Sequence, residues 1–417
     1  MTSTVYIAKN VYGGDGLGRL GDGRVIFVPG AFAGDSVKAE IVEEKKHFVK
    51  ARLVEIVEAS PDRIASPFGP NAPTPQPPNT TSSSSSSLFS SFPGMVYANL
   101  SFAGENKVKE SQLKDAFERA RLPLGEFSGA DAAGEPLHYR NKVVYHFAKK
   151  GDKWLLGYRM EPSHEILDVT EDPLARPEIN AKLPEIRRNV MTLLTTGPVA
   201  IRKDVERKGN VTIRWTAQTG VKWWLGDAPK DLVLKEMTCG RVFDVPADGF
   251  YQVNPEIGDR LVKSVIDVFE SRRAESDEVL DLYCGVGVFG LCMKPAKLTG
   301  IESGRQAIEF AKRNAAALKS SGRFFADQVG RSLRKIKVSD RTTIVVDPPR
   351  GGMEPNVPKW LAACGAPRII YVSCDPATLV RDLKTIVSGY DIESVRWFNM
   401  FPRTARFETM VVLRRRA

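Results

Sequence analysis

After residue 251 the chain settles into a rhythm that few folds can satisfy. The runs EVLDLYCG, KLTGIESG, TTIVVDPPR and RIIYVSCD are short and apolar, and each ends in small or polar residues. Helical stretches such as RQAIEFAKRNAAALKSS lie among them. Short runs that are apolar throughout demand strands covered on both faces, and the helices between them supply the cover. The expected architecture for 251–417 is therefore a doubly wound α/β domain. It closes with a hairpin-like pair, IESVRWFNMFPR and RFETMVVLRRR.

The first 250 residues follow other patterns. Residues 1–60 hold short β-branched runs (VIFVPG, DSVKAEIVEE, FVKARLVEIVEAS) separated by the turn-rich GGDGLGRLGDG and PGAFAGD. About five strands in that length suggest an OB-like barrel, a frequent oligonucleotide binder. Residues 61–95, with the tract SPFGPNAPTPQPPNTTSSSSSSLFSSFPG, break every periodicity and read as a linker or insertion. Ala103 to Leu122 spaces apolar residues at 108, 113, 116 and 117 and reads as a charged amphipathic helix. Within 96–250, HYRNKVVYHFAKKG, KWLLGYRM, GNVTIRWTAQTG and VKWWLGD make a central α+β domain. Its interleaved basic and aromatic side chains suit RNA, although on a sheet they also mark one buried and one wet face.

Composition narrows the setting. No apolar run approaches the ~20 residues of a membrane span, and MTSTVYIAKN lacks the basic-then-apolar pattern of a secretory signal. The five cysteines, at 239, 284, 292, 364 and 374, have no CxxC pairing, which argues against a disulfide framework and for a reducing compartment. The cytoplasm is the expected location, with no membrane contact. A net charge of +10 fits a polyanionic partner.

Four stretches carry chemistry. In DLYCGVGVFG, Gly285, Gly287 and Gly290 have GxGxxG spacing behind Asp281, and Glu302 ends the next run. Glycines let a ligand approach the backbone, and an acid so placed can hold ribose hydroxyls. That pattern alone serves NAD or S-adenosylmethionine equally. VVDPPRGG then puts Asp347 and a rigid kinked backbone over the crevice at the strand ends. A dehydrogenase has no use for this element. Amino-group methyltransferases use a similar tetrapeptide, with an aromatic where this chain has Arg350. The plainer alternative for Asp347 is a turn or helix-capping aspartate. In YVSCDPATLVRD, Cys374 ends a strand facing the same crevice, with a helix start marked by Pro376 behind it. Its choices are a thiol placed to attack or an inert one, whereas the other four cysteines read as inert. Glu408, in RFETMVV, is a lone acid on a strand that sequence alone would not single out.

Together FYQVNP (Phe250 to Pro255), DLYCGVG, DPPRGG, VSCDPATLVRD and FPRTARFETMVVL resemble the RNA uracil-C5 methyltransferase family. GGDGLGRLGDGRVIFVPGAFAGDSVKAEI resembles the TRAM domain often fused to these enzymes. The resemblance implies a Rossmann-like class I methyltransferase domain using S-adenosylmethionine to form 5-methyluridine. It assigns Cys374 as nucleophile and Glu408 as general base, with Asp347 at the catalytic site. Gln252, Tyr283, Gly285, Gly287, Glu302, Asp327 and Asp347 are implied for the methyl donor. The implied partner is RNA, ribosomal first and tRNA second, met by a monomer. Many relatives carry four cysteines that ligate an iron–sulfur cluster, and this chain has none between Pro61 and Glu110. No cluster is expected, nor any other metal. The competing readings are an RNA-binding protein without catalysis and an amino-group methyltransferase using DPPR.

Overall fold

The computed structural model describes residues 2–65, 92, 94–131, 136–160 and 163–416; the stretch 66–91, with the Ser-rich tract, lies outside the described residues. The chain divides into two units, Met1–Asp115 with Phe401–Phe407, and Ala116–Met400 with Glu408–Ala417.

In the first unit β1 (Thr2–Asn10), β2 (Gly16–Arg19), β3 (Val25–Val28), β4 (Ser36–Glu44) and β5 (Phe48–Glu58) close into a barrel in the order β1-β2-β3-β5-β4. Period-two alternation turns Val5, Ile7, Ile26, Val28, Val37 and Val49 inward. Gly18 lets β2 close on β1, since a Cβ there would overlap Val5 and lie 2.6 Å from the Tyr6 carbonyl oxygen.

Next to the barrel in this unit stands a second core of Phe32, Tyr97 and Leu100. Around it lies a polar network on the first turns of α1 (Phe102–Ala120). Glu105 and Lys109, one turn apart and both fully buried, pair at 2.7 Å. Lys109 Nζ also donates to the Phe401 carbonyl at 3.1 Å, and the Arg403 amide donates to Glu105 Oε1 at 2.9 Å. The Arg403 guanidinium reaches the carbonyls of Tyr97 (3.3 Å) and Leu100 (2.5 Å). Burial lowers the pKa of Lys109 while Glu105 opposes that drop. Glu105→Ala leaves two buried cations without their acid, so urea unfolding should show a loss of about 3–5 kcal/mol. An unchanged midpoint would mean that the network contributes nothing net.

The second unit opens with β6 (Glu126–Asp131). β7 (Lys142–Lys150), β8 (Lys153–Arg159) and β9 (Ile166–Asp168) follow, then α2 (Pro177–Thr195), α3 (Val199–Lys208), β10 (Asn210–Thr216) and β11 (Gly220–Leu225). Five strands form an antiparallel sheet, β11-β10-β7-β8-β9. The apolar stripe Ile179, Leu183, Ile186, Val190 and Leu194 of α2 is buried. β12 (Val233–Thr238) and β13 (Arg241–Pro246) pair as a hairpin, turning at Cys239–Gly240, both of which have positive φ.

The remainder alternates strand and helix. After α4 (Pro255–Glu270) come β14 (Glu278–Leu282), α5 (Val288–Met293), β15 (Lys297–Glu302), α6 (Arg305–Ala317), β16 (Arg323–Ala326) and α7 (Val329–Ser332). Then follow β17 (Thr342–Val346), α8 (Asn356–Ala363), β18 (Arg368–Ser373), α9 (Pro376–Ile386), β19 (Tyr390–Phe398) and β20 (Glu408–Arg415). The sheet order is β16-β15-β14-β17-β18-β20-β19-β6. β14 to β18 are parallel, and β14, β17 and β18 are buried on both faces, as their unbroken apolar runs require, whereas the edge strand β16 leaves Arg323, Phe325 and Ala326 exposed. The closing pair is antiparallel as expected, but β20 inserts between β18 and β19 and pairs with both. β6, from the stretch read as central domain, runs parallel to β19 at the sheet edge. No helix among the described residues is long and apolar enough to cross a membrane.

Candidate active site

The reactive groups stand on neighbouring strands at one end of this sheet. β14 supplies Asp281 and leads into the glycine loop; β17 ends at Val346, and Asp347 follows. β18 ends at Ser373, paired with Thr409 of β20; Cys374 and Glu408 each lie one residue beyond that last rung, close enough for the Glu408 carboxyl to act on the thiol.

The glycine loop is shaped by close approach. Tyr283 and Gly285 both take positive φ, 63° and 53°. A Cβ on Gly285 would meet nothing within 4 Å, so that side of the backbone is open to a ligand. Gly290 is the reverse: its Cβ would come within 2.5 Å of Leu298 Cδ1, so β15 can pack against α5 only with glycine there. Gly287, at φ 89°, precedes α5 with its open side against Leu291 and Phe324. Asn314 of α6 ties the loop down by donating from Nδ2 to the Val286 carbonyl at 3.1 Å.

One pocket gathers Gln252, Tyr283, Gly285 and Asp347, with Phe250, Tyr251 and Thr238 on its wall. The hydroxyl of Tyr283 is taken by Glu354, whose other oxygen accepts from the Gly330 amide at 3.4 Å. Tyr283 therefore presents its ring to the pocket. Glu302 and Asp327 lie outside this set, at the ends of the adjacent strands β15 and β16. Glu302 Oε1 accepts from the Gly304 amide (2.8 Å) and the Ser303 hydroxyl (3.0 Å). Both Asp327 oxygens serve the start of α7, taking the Gln328 amide (2.8 Å) and the Ser332 hydroxyl (2.9 Å). Asp327 lines a separate groove along the sheet face with Ile301 and Phe325.

The electrostatics are those of a dry cluster of acids. Asp281 is fully buried; its Oδ2 accepts from the Gly290 amide at 2.9 Å, while Oδ1 has no partner. Burial pushes its pKa up to about 7. Asp347 is likewise raised to about 7, by burial and then by Asp281. Burial holds Glu408 well above the usual carboxylate range, Asp347 adds to the rise and Arg350 opposes it. Its Oε2 has no hydrogen-bond partner. Cys374 is pushed up to about 12 by burial, then Glu408 and Asp347, again against Arg350. At rest the thiol is protonated, and the strongest acceptor near it is an acid made more basic than usual.

Sequence reasoning passed over the residues that fix these loops. Asp382, inside the YVSCDPATLVRD stretch, accepts from the Met353 amide and the Tyr371 hydroxyl (both 3.0 Å) and from Arg381 Nε (2.8 Å). Arg381 in turn donates to the Gly351 carbonyl at 3.1 Å, so α9 staples the loop that follows Asp347. Asp375 caps α9 by accepting from the amides of Ala377 (2.9 Å) and Thr378 (3.3 Å), with Pro376 in the first turn as expected.

The doubly wound sheet with β20 inserted antiparallel between β18 and β19 is an α/β architecture whose crevice lies at the strand ends. Residues 231–416 match the family model for tRNA (Uracil-5-)-methyltransferase and residues 2–54 the TRAM domain. The chain is 28% identical to an uncharacterised RNA methyltransferase of Thermotoga maritima, covering 99% of each, and 28% identical to one of Streptomyces avermitilis, covering 98% and 97%. Its fold matches the crystal structure of the Pyrococcus abyssi tRNA (uracil-54, C5)-methyltransferase in complex with S-adenosyl-L-homocysteine, at TM-score 0.69 and 21% identity over 98% of this chain. Residues 231–416 are thus a tRNA (Uracil-5-)-methyltransferase domain and residues 2–54 a TRAM domain.

A raised thiol gives a signed expectation. If Cys374 titrates near 12, iodoacetamide labelling in the ligand-free protein should accelerate about ten-fold per pH unit from pH 7 to 10. Peptide mass spectrometry checks this; a plateau below pH 9 would show a thiolate stabilised beyond what burial permits.

Proposed function

We propose that this enzyme methylates C5 of a uridine in structured RNA with S-adenosylmethionine as donor, through a covalent bond to Cys374. What supports the reading is that Cys374 and Glu408 flank the last β18–β20 rung, with Asp347, which lines a pocket with Gly285, acting on both. The donor fits there: an open glycine backbone, the Tyr283 ring and the side chains of Gln252 and Asp347 can take its amino acid and ribose parts, with Glu302 and Asp327 at the neighbouring strand ends. Bound so, it supplies an electrophilic methyl group.

The chain's own residues do the rest. C5 of uracil is a weak nucleophile until C6 is attacked. The Cys374 thiol loses its proton to solvent, Sγ forms a bond to C6, and the electron pair of the C5=C6 bond moves toward O4, leaving C5 electron-rich. Once C5 carries the methyl group, Glu408 takes the C5 proton. The electron pair of that C–H bond restores the ring double bond and expels the thiolate. A carboxyl raised by burial is the stronger base for this proton. The target base must leave its stack to reach such a site, which favours loops or opened helices. The TRAM barrel and the central sheet are assigned to holding the RNA.

Ribosomal RNA is the first reading of the substrate. Transfer RNA is the second, favoured by the substrate named for the matching family and for the Pyrococcus abyssi enzyme. The test uses RNA transcribed with 5-fluorouridine, in separate ribosomal and transfer pools, with S-adenosylmethionine present. Fluorine cannot leave as a proton does, so intact mass should show a protein–RNA adduct with one pool and none for Cys374→Ala. With ordinary RNA, Glu408→Gln should accumulate the same adduct and turn over at least about 100-fold more slowly. Methylation that survives Cys374→Ala would sink the covalent route.

A further inference from the structure

We infer that Arg214 is a positioning residue for the methyl-donor pocket, tying the central sheet to the segment Ala247–Gln252 that forms one of its walls. The inference rests on the donor-site reading above. Arg214 lies in mid-strand on β10, where the register sets Lys142 of β7 and Lys222 of β11 directly beside it. Three cations abreast repel one another, and the middle one is 1% exposed. Something specific must hold it there.

Its planar fork is fully employed. Nε and Nη2 donate to Glu236 Oε1 at 3.3 and 2.9 Å, and Nη1 donates to the carbonyls of Ala247 (3.2 Å) and Gly249 (2.9 Å). Glu236 belongs to β12, whose last residue, Thr238, lines the pocket and shares a hydrogen bond with the Tyr251 hydroxyl. The far end of the segment is gripped from the same sheet. The Asn141 amide donates to the Val253 carbonyl at 2.9 Å, and its side chain reaches the Gln252 carbonyl at 3.4 Å. Between these anchors Phe250 is held out at the pocket rim, 75% exposed. Gln252 then turns inward, its Cβ resting over Gly258 of α4.

A buried ion pair that only stabilised the sheet would need Glu236 alone. The two backbone carbonyls are what give Arg214 a hold on the pocket wall. Lysine is one point charge without a fork, so it can keep the pair with Glu236 but cannot span both partners. The arrangement also gives the sheet that carries Lys142 and Lys222 a mechanical route to the donor site. A displacement of β10 would be felt at Gln252.

Two variants test this, Arg214→Lys and the double variant Arg214→Met/Glu236→Gln, which removes both buried charges. Circular dichroism identifies the folded protein, and calorimetry with S-adenosylhomocysteine reads the pocket without RNA. The expected result is a dissociation constant raised on the order of ten-fold in the folded variants. The KM for S-adenosylmethionine should rise with it while kcat stays within about two-fold. If Arg214→Lys does not fold, the double variant decides. Unchanged S-adenosylhomocysteine affinity in the folded variants would overturn the inference alone. If the unsubstituted protein itself bound none, the donor-site reading would fall and the inference with it.

Discussion

The site depends on one strand running the other way. β20 enters the sheet antiparallel, between β18 and β19, and its register against β18 sets Thr409 across from Ser373. That pairing brings Glu408 and Cys374, each one residue beyond it, to the same end of the sheet. A slip of one residue would turn Glu408 to the opposite face of the sheet. The register is pinned because six consecutive residues of β20, Glu408 to Leu413, are buried, so any slip would bring the charged Arg414 toward the interior. Packing of an apolar strand thus sets the separation of a thiol and an acid. Burial then makes the acid basic and keeps the thiol protonated. The same desolvation that would make this cluster costly to ionise gives Glu408 its strength as an acceptor.

The first unit shows another way of holding a cysteine-poor segment. The resemblance drawn from the sequence sets cluster-ligating cysteines just after the TRAM domain, where this chain has no thiols. Here residues 95–109 are fixed by Tyr97, Leu100 and the buried Glu105–Lys109–Arg403 network. Arg403 is the centre of it: its amide and guanidinium meet three groups from 97 to 105, and its backbone takes positive φ, 66°, to do so. Hydrogen bonds to charged groups are strong but need every partner in place.

How much of this was written legibly in the sequence follows from the range of the interactions. β14, β15, β17 and β18 were readable because strands buried on both faces are apolar throughout, a purely local signal. Cys374 was readable as the end of one of them before a Pro-started helix. Glu408 was not, because its place is set by the neighbouring rung Thr409–Ser373, formed with a strand 36 residues earlier, and a solitary acid carries no local sign of burial. The same holds in α1. Its apolar positions 108, 113, 116 and 117 were visible, yet Glu105 and Lys109 share the buried side because Arg403 and Phe401 meet them from the far end of the chain, and Gln112 does so by donating to the Val11 carbonyl and the Tyr97 hydroxyl. Arg214 was invisible for the same reason, with partners 22 to 35 residues away.

The fourth position of DPPR can be understood in these terms. Arg350 opposes the raised pKa of both Cys374 and Glu408. It is exposed, and it sits in a loop stapled to α9 through Asp382 and Arg381. Burial raises the partly buried Cys374 thiol most, and Glu408, Asp347 and Asp375 add to the rise. Against these stands the Arg350 guanidinium, a positive charge that an aromatic in its place would not supply.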